Sequence, residues 1–153
     1  MSNSRFVYVI FIRATPEKVW EGLTSPEFTK QYWAGTWHDT TWKKGASWKL
    51  MIPDGRIGDA GEIVEIDRPR RLVLKWRNEF MPDMREEGFS RCTFELEPVA
   101  DTVRLTVTHE MDRPKSKLID AVSGGWPEIL SSLKSLLETG DSLEQTKRWP
   151  EGV

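Results

Sequence analysis

The sequence predicts an α+β domain in which a curved antiparallel sheet of seven strands wraps around a long C-terminal helix, with two short helices after the first strand. Seven segments with an apolar face follow one another between turn residues, and a stretch of helical periodicity comes near the end. Most connections are short, which predicts antiparallel neighbours, because parallel pairs need crossovers of about a dozen residues. A strongly twisted sheet of this length curls, so a helix on its concave side leaves room for a cavity.

The first strand and the two short helices are predicted between residues 6 and 33. Residues 6–13 are rich in β-branched and aromatic side chains, which favour a strand. Thr15-Pro16-Glu17 then supplies a capping hydroxyl, a proline at the first helical position and an acid in the first turn. Ser25-Pro26-Glu27 repeats this helix start, so two brief helices follow the strand.

The other six strands are separated by glycine, proline and charged turns. They are predicted at residues 37–42, 47–52, 61–66, 72–77, 89–96 and 103–110. The charged residues 83–87 fall in the loop between the fifth and sixth of the seven strands, where they form either a lid or a solvated hairpin loop.

The long helix is predicted over residues 115–139, where apolar residues recur at helical spacing and Gly140 provides a C-cap. Gly124, Gly125 and Pro127 interrupt it, so we expect a kink, or the true start of the helix, near Trp126. The sequence therefore predicts one domain over residues 1–140 and a polar tail over residues 141–153.

Composition argues against several classes of partner. The chain has 22 basic and 24 acidic residues, so no excess charge drives binding to nucleic acid. The apolar run near the N-terminus is too short for a membrane span and lacks a cleavage site, so it predicts a strand. Cys92 is the only cysteine, which rules out an internal disulfide and fits a reducing, cytoplasmic location.

Eight tryptophans in 153 residues either fill a core or line a roomy apolar cavity. Aromatic rings on the apolar faces, together with the histidine on the last strand, are the candidate ligand-binding residues: Tyr32, Trp33, Trp48, Trp76, Phe94, His109 and Trp126. Ordinary core packing is the alternative for each of them.

Metal and cofactor sites have no support in the sequence. His38, Asp39, Cys92 and His109 lack the close spacing of helix-borne metal ligands. Gly124-Gly125 lacks the lysine and hydroxyl residue of a phosphate-binding loop. We therefore predict no metal and no cofactor.

Several stretches, taken in order, resemble the START-type helix-grip superfamily, often called SRPBCC. They resemble more closely its activator of heat-shock-protein-90 ATPase homologue-like family. The similar stretches are residues 12–20, Tyr32-Trp33, residues 61–69, residues 72–76, and Gly125-Trp126 followed by Leu130, Leu133 and Leu137.

The resemblance implies a seven-stranded sheet that grips a C-terminal helix over a hydrophobic tunnel. Its relatives bind lipids, hormones or polyketide-like molecules, a minority are enzymes, and the eukaryotic namesake stimulates a chaperone ATPase. The leading hypothesis is a module that binds a small apolar molecule. The alternatives are a polyketide-cyclase-like enzyme using His109, Tyr32 or Glu65, and an interaction module that contacts a chaperone or forms a homodimer through Val7, Val9 and Phe11.

Overall fold

Seven strands form one antiparallel sheet in the computed structural model, which describes residues 3–153; residues 1 and 2 of the predicted domain lie outside the described residues. The strands are β1 (Ser4–Ile12), β2 (Trp37–Asp39), β3 (Ser47–Met51), β4 (Ile57–Asp67), β5 (Arg71–Asn78), β6 (Ser90–Val99) and β7 (Thr102–Met111). Their order across the sheet is β1-β7-β6-β5-β4-β3-β2.

The three predicted helices occur in the predicted order, and one further helical turn lies in the loop predicted between the fifth and sixth strands. The helices are α1 (Pro16–Thr24), α2 (Pro26–Tyr32), a single turn α3 (Pro82–Arg85) and α4 (Lys117–Thr139), followed by a 3-10 turn at Glu144–Thr146. The predicted fold class, a curved antiparallel sheet around a long C-terminal helix, is confirmed.

Two strand boundaries differ from the prediction. β2 ends at Asp39 instead of residue 42, because the chain turns there and Trp42 adopts a left-handed backbone with φ of 57°. β4 begins at Ile57, four residues earlier than predicted. Glycine and aspartate disfavour strands when isolated, but pairing with β3 and β5 on both sides outweighs that preference here.

The helix α4 is continuous from Lys117, so the prediction of a true start near Trp126 is wrong. Ser116 caps its first turn by accepting a hydrogen bond from the Ile119 amide at 3.1 Å. The helix runs through Pro127 because Trp126 and neighbouring apolar residues are buried against the sheet, which outweighs the lost backbone bond. Gly140 ends it in a left-handed conformation, as predicted.

The loop between β5 and β6 is fastened to the start of α4. Glu87 accepts hydrogen bonds from the Ser116 hydroxyl at 2.6 Å and the Lys117 amide at 2.7 Å. A carboxylate in this place also interacts favourably with the positive end of the helix dipole. The loop is therefore fixed to the start of the helix, and it is neither a free lid nor a simple solvated hairpin.

The C-terminal tail packs on α2 and α4. The Ala34 amide donates to the Thr146 carbonyl at 2.7 Å, and the Leu143 amide donates to the Ser132 hydroxyl at 2.8 Å. Further along, the Trp149 ring meets Phe80 edge to face, with centroids 5.2 Å apart. The tail thus brings an aromatic ring to the end of β5.

No helix within residues 3–153 is both long enough and apolar enough to cross a membrane. On the outer face of the sheet, β1 leaves Val7, Val9 and Phe11 almost half exposed.

Candidate functional site

A pocket of about 220 Å³ opens between the inner face of the sheet and the first half of α4. Leu118, Val122 and Ile129 of α4 form one wall. Aromatic rings from the rest of the chain form most of the remainder: Trp33, Trp76, Phe80, Trp126 and Trp149. The predicted concave space is therefore partly filled by indoles and partly open.

Three indoles pack together as the floor of the pocket. The Trp33 and Trp76 ring centroids lie 6.4 Å apart with nearly parallel planes. Trp126 meets both rings edge to face, with its centroid 5.4 Å from Trp33 and 5.8 Å from Trp76. Aromatic pairs favour this edge-to-face arrangement, so the floor is rigid.

Gly61 allows Trp76 of this floor to pack closely against Trp48 of β3. It pairs with Trp48 on β3 and with Trp76 on β5, so it lies between two tryptophans on the inner face. Since Gly61 has no side chain, the two indoles approach each other across it to a centroid separation of 4.6 Å.

A polar partner holds each of three indole N–H groups. Trp76 donates to Asp59 Oδ1 at 2.9 Å, Trp48 to His38 Nδ1 at 2.9 Å, and Trp126 to His109 Nδ1 at 3.2 Å. Buried indoles normally require such partners. The two histidines and Asp59 therefore set the ring orientations around the pocket.

The hydrogen bonds of His109 define its tautomer. The Ser90 hydroxyl donates to the Trp76 carbonyl at 2.8 Å, so it accepts from His109 Nε2–H at 2.9 Å. His109 Nδ1 is then the acceptor for Trp126, and the ring is neutral. Burial lowers the pKa of His109 to about 3, which agrees with a neutral ring at physiological pH.

His38 has the same arrangement at the other side of the tryptophans. Its Nε2 lies 2.8 Å from the Leu23 carbonyl, to which it donates, while Nδ1 accepts from Trp48. Burial lowers the pKa of His38 to about 4, and the bond to Leu23 opposes that shift.

Asp59 is the only ionisable side chain lining this pocket among residues 3–153. It is 8% exposed and lies opposite Asn78 in the sheet. Burial raises the pKa of Asp59 to about 7, while hydrogen bonds from Trp76 and Asn78 lower it. The carboxyl group therefore exchanges a proton near neutral pH inside an apolar pocket.

Replacing Asp59 by asparagine tests this titration through stability. An unfolded aspartate ionises near 3.8 and the folded one near 7, so between these values the unfolded chain holds fewer protons and stability falls as pH rises. We expect wild-type protein to lose on the order of 2 kcal/mol more than Asp59→Asn between pH 5 and pH 8. Urea unfolding of both proteins at each pH measures this difference in stability. Equal changes in the free energy of unfolding of the two proteins would contradict the prediction.

The structure divides the predicted ligand-binding residues into two groups. Trp33, Trp76 and Trp126 line the pocket. The others are buried behind that lining: Tyr32, Trp48, Phe94 and His109. Ligand contact stays a prediction for all seven residues.

Several pocket residues were not identified as ligand contacts from the sequence, among them Asp59, Phe80 and Trp149. Asp59 shares the inner face with Gly61 and Ile63 by strand alternation, so a predicted β4 that began earlier would have revealed it. Phe80 and Trp149 lie outside strands and α4, so no periodicity could place them.

The residues considered for catalysis do not meet at one point. Tyr32 donates its hydroxyl hydrogen to the Gly22 carbonyl at 2.7 Å, and His109 is engaged by Ser90 and Trp126. Glu65 forms an ion pair with Arg71 at 3.0 Å and is about half exposed. These three side chains therefore cannot act together as acid and base.

The family model described as activator of Hsp90 ATPase homolog 1-like protein matches residues 13–138. The chain belongs to this family. The resemblance inferred from the sequence is thus confirmed, and no curated protein matches the chain.

Solved structures with a similar fold come from several organisms. A protein from Mesorhizobium loti is 22% identical, with a TM-score of 0.75 over 90% of this chain and 99% of that one. The Aha1 dimer from Colwellia psychrerythraea is 20% identical, with a TM-score of 0.72 over 90% and 98%. An Hsp90 activator from Plasmodium falciparum is 21% identical, with a TM-score of 0.71 over 87% and 95%. At these identities the likeness concerns the fold.

Proposed function

We propose that this family member binds a small, largely apolar molecule in the pocket between the sheet and α4. The observation that carries the proposal is an open pocket with aromatic and aliphatic walls and a few polar groups, which is the usual composition of a small-molecule site. Covering such walls with an apolar ligand contributes about 25 cal/mol for each Å² removed from water.

The volume sets the size of the ligand. An engineered apolar cavity of about 150 Å³ holds benzene, so about 220 Å³ accommodates a substituted benzene rather than a long lipid chain. Asp59, Asn78 and Thr36 supply the polar contacts that orient it. In this proposal the protein works in the cytoplasm, for which the single buried cysteine is the supporting observation.

Two neighbouring glycines of α4 provide a direct test. Gly125 lines the pocket, and a Cβ added there would meet no described atom within 4 Å, so Gly125→Leu is expected to fill the pocket. Gly124 is equally unobstructed but lies outside the lining, which makes Gly124→Leu the matched control. Both changes favour the helix by up to about 0.8 kcal/mol, so both variants are expected to fold.

The measurement is a titration with tert-butylbenzene, followed through the indole N–H signals in two-dimensional NMR. Wild-type protein and Gly124→Leu are expected to show saturable shifts of the Trp33, Trp76 and Trp126 signals, whereas Gly125→Leu shows none. Equal binding by the two variants would place the ligand elsewhere, and no binding by wild-type protein would contradict the proposal.

The interaction hypotheses stay predictions. One relative is described as a dimer and another as an Hsp90 activator. The exposed apolar residues Val7, Val9 and Phe11 support self-association through the outer face of β1.

A further inference from the structure

We propose that the pocket selects apolar organic cations, with the Asp59 carboxylate as the counter-ion and the surrounding aromatic rings as a cage. This proposal rests on the proposed function, because it names the chemical class of the molecule held there. Neutral and anionic molecules of the same shape are the competitors that the site discriminates against.

The first support is the position of the carboxyl group. Asp59 lines the pocket, is 8% exposed, and is held by the Trp76 indole N–H at 2.9 Å. Within the described chain, no lysine, arginine or histidine lines the pocket. A buried carboxylate that lacks a counter-ion is costly, so a ligand that brings a positive charge relieves this cost.

The second support is the ring composition of the walls. Five aromatic side chains line the same pocket as the carboxyl group: Trp33, Trp76, Phe80, Trp126 and Trp149. A cation over the face of an indole is attracted by the ring quadrupole, and tryptophan gives the strongest such interaction. Cages of aromatic rings are a common means of recognising quaternary ammonium groups.

The groups that act on the Asp59 carboxyl include no positive charge. Glu79 interacts with it from the end of β5, but Glu79 is paired with Arg77, which holds the pKa of Glu79 below its usual range. The Cys92 thiol on β6 also interacts with it, and burial raises the pKa of that thiol. The pocket residues from β3, α3, α4 and the tail are uncharged. Asp59 is therefore the pocket group that titrates between pH 6 and pH 8.

Three probes of matching shape separate charge from fit: phenyltrimethylammonium, tert-butylbenzene and benzenesulfonate. At pH 8 we expect the cation to bind wild-type protein about tenfold more tightly than the neutral probe, and the anion to bind more weakly than both. Lowering the pH to 6 protonates most of Asp59, so cation affinity is expected to fall about tenfold while neutral-probe affinity stays constant.

Two variants complete the experiment. Asp59→Asn is expected to remove the preference for the cation and its pH dependence. Asp67→Asn changes an exposed carboxylate at the other end of β4, so it is expected to behave as wild type. The dissociation constants come from the same indole N–H titrations.

The outcomes separate this inference from the proposed function. Equal affinities for cation and neutral probe in wild-type protein, or a cation preference that survives in Asp59→Asn, would overturn the cation proposal and leave the pocket as a binding site. If no probe binds wild-type protein at either pH, both the proposed function and this inference fail.

Discussion

Replacing Gly61 with alanine is expected to destabilise the fold by about 4 kcal/mol or more, a loss of the size caused by severe overpacking or backbone disruption. A Cβ at Gly61 would lie 1.7 Å from the carbonyl oxygen and 2.5 Å from the carbonyl carbon of Lys75. Both are backbone atoms of the neighbouring strand, so no side-chain rotation can relieve the overlap. β4 and β5 must separate at the point where Trp48 and Trp76 pack.

Gly58→Ala in the same strand is the matched control. A Cβ there would approach the Ile52 side chain at 3.2 Å and the Leu50 carbonyl oxygen at 3.3 Å, so shifts of a few tenths of an ångström accommodate it. Urea unfolding followed by tryptophan fluorescence measures the three proteins. Similar midpoints for Gly61→Ala and Gly58→Ala would show that the sheet absorbs the larger overlap.

When the pH falls from 6.5 to 4, the free energy of unfolding of wild-type protein is expected to decrease by about 3 kcal/mol more than that of His109→Gln. An unfolded histidine titrates near 6.5, whereas burial lowers the pKa of folded His109 to about 3. Between these values the unfolded chain binds more protons, so the stability due to the neutral ring is lost as pH falls. Glutamine can still accept from Trp126 and donate to Ser90 but does not titrate.

The measurement compares the free energy of unfolding of wild-type protein and His109→Gln at both pH values. Asp59 changes stability in the opposite direction over part of this range, but its contribution is common to both proteins and cancels in the difference. At pH 7 the variant is expected to be less stable by about 1 kcal/mol, since its hydrogen bonds are less well aligned. His38→Gln provides an independent comparison, because burial lowers the pKa of His38 to about 4. Equal losses for wild type and His109→Gln would show that folded His109 takes up its proton over the same pH range as an unfolded histidine, so that its pKa is not lowered.

These two predictions concern the same feature, the fixed positions of the indoles. Gly61 allows Trp48 and Trp76 to pack closely, while His38, His109 and Asp59 orient the N–H groups. Among the described side chains, no buried nitrogen or oxygen lacks a hydrogen-bond partner. The aromatic floor is therefore preorganised, which reduces the ordering cost of binding a ligand.

The order of elements was accessible from the sequence, because each element carries a local signal. Alternation of apolar residues marks β5, β6 and β7, helical spacing marks α4, and proline after a capping hydroxyl marks α1. Strand boundaries were harder to predict where the intrinsic preference of a residue disagrees with its pairing in the sheet. The glycine and aspartate at the start of β4 disfavour a strand in isolation, yet partners on both sides hold them in the sheet.

The sequence by itself determined the chain's family, through the stretches that resemble it, and also the seven strands and the load of tryptophans, which follow from periodicity and composition. Only the tertiary structure decided that Trp33, Trp76 and Trp126 face an open pocket while Tyr32, Trp48 and Phe94 lie behind it. Likewise, only the fold brought Asp59 and Trp149, which are distant in sequence, to the lining of one pocket. The physical reason is that strand alternation specifies which face a side chain occupies, whereas the space left at that face depends on how the sheet, α4 and the tail fill it together.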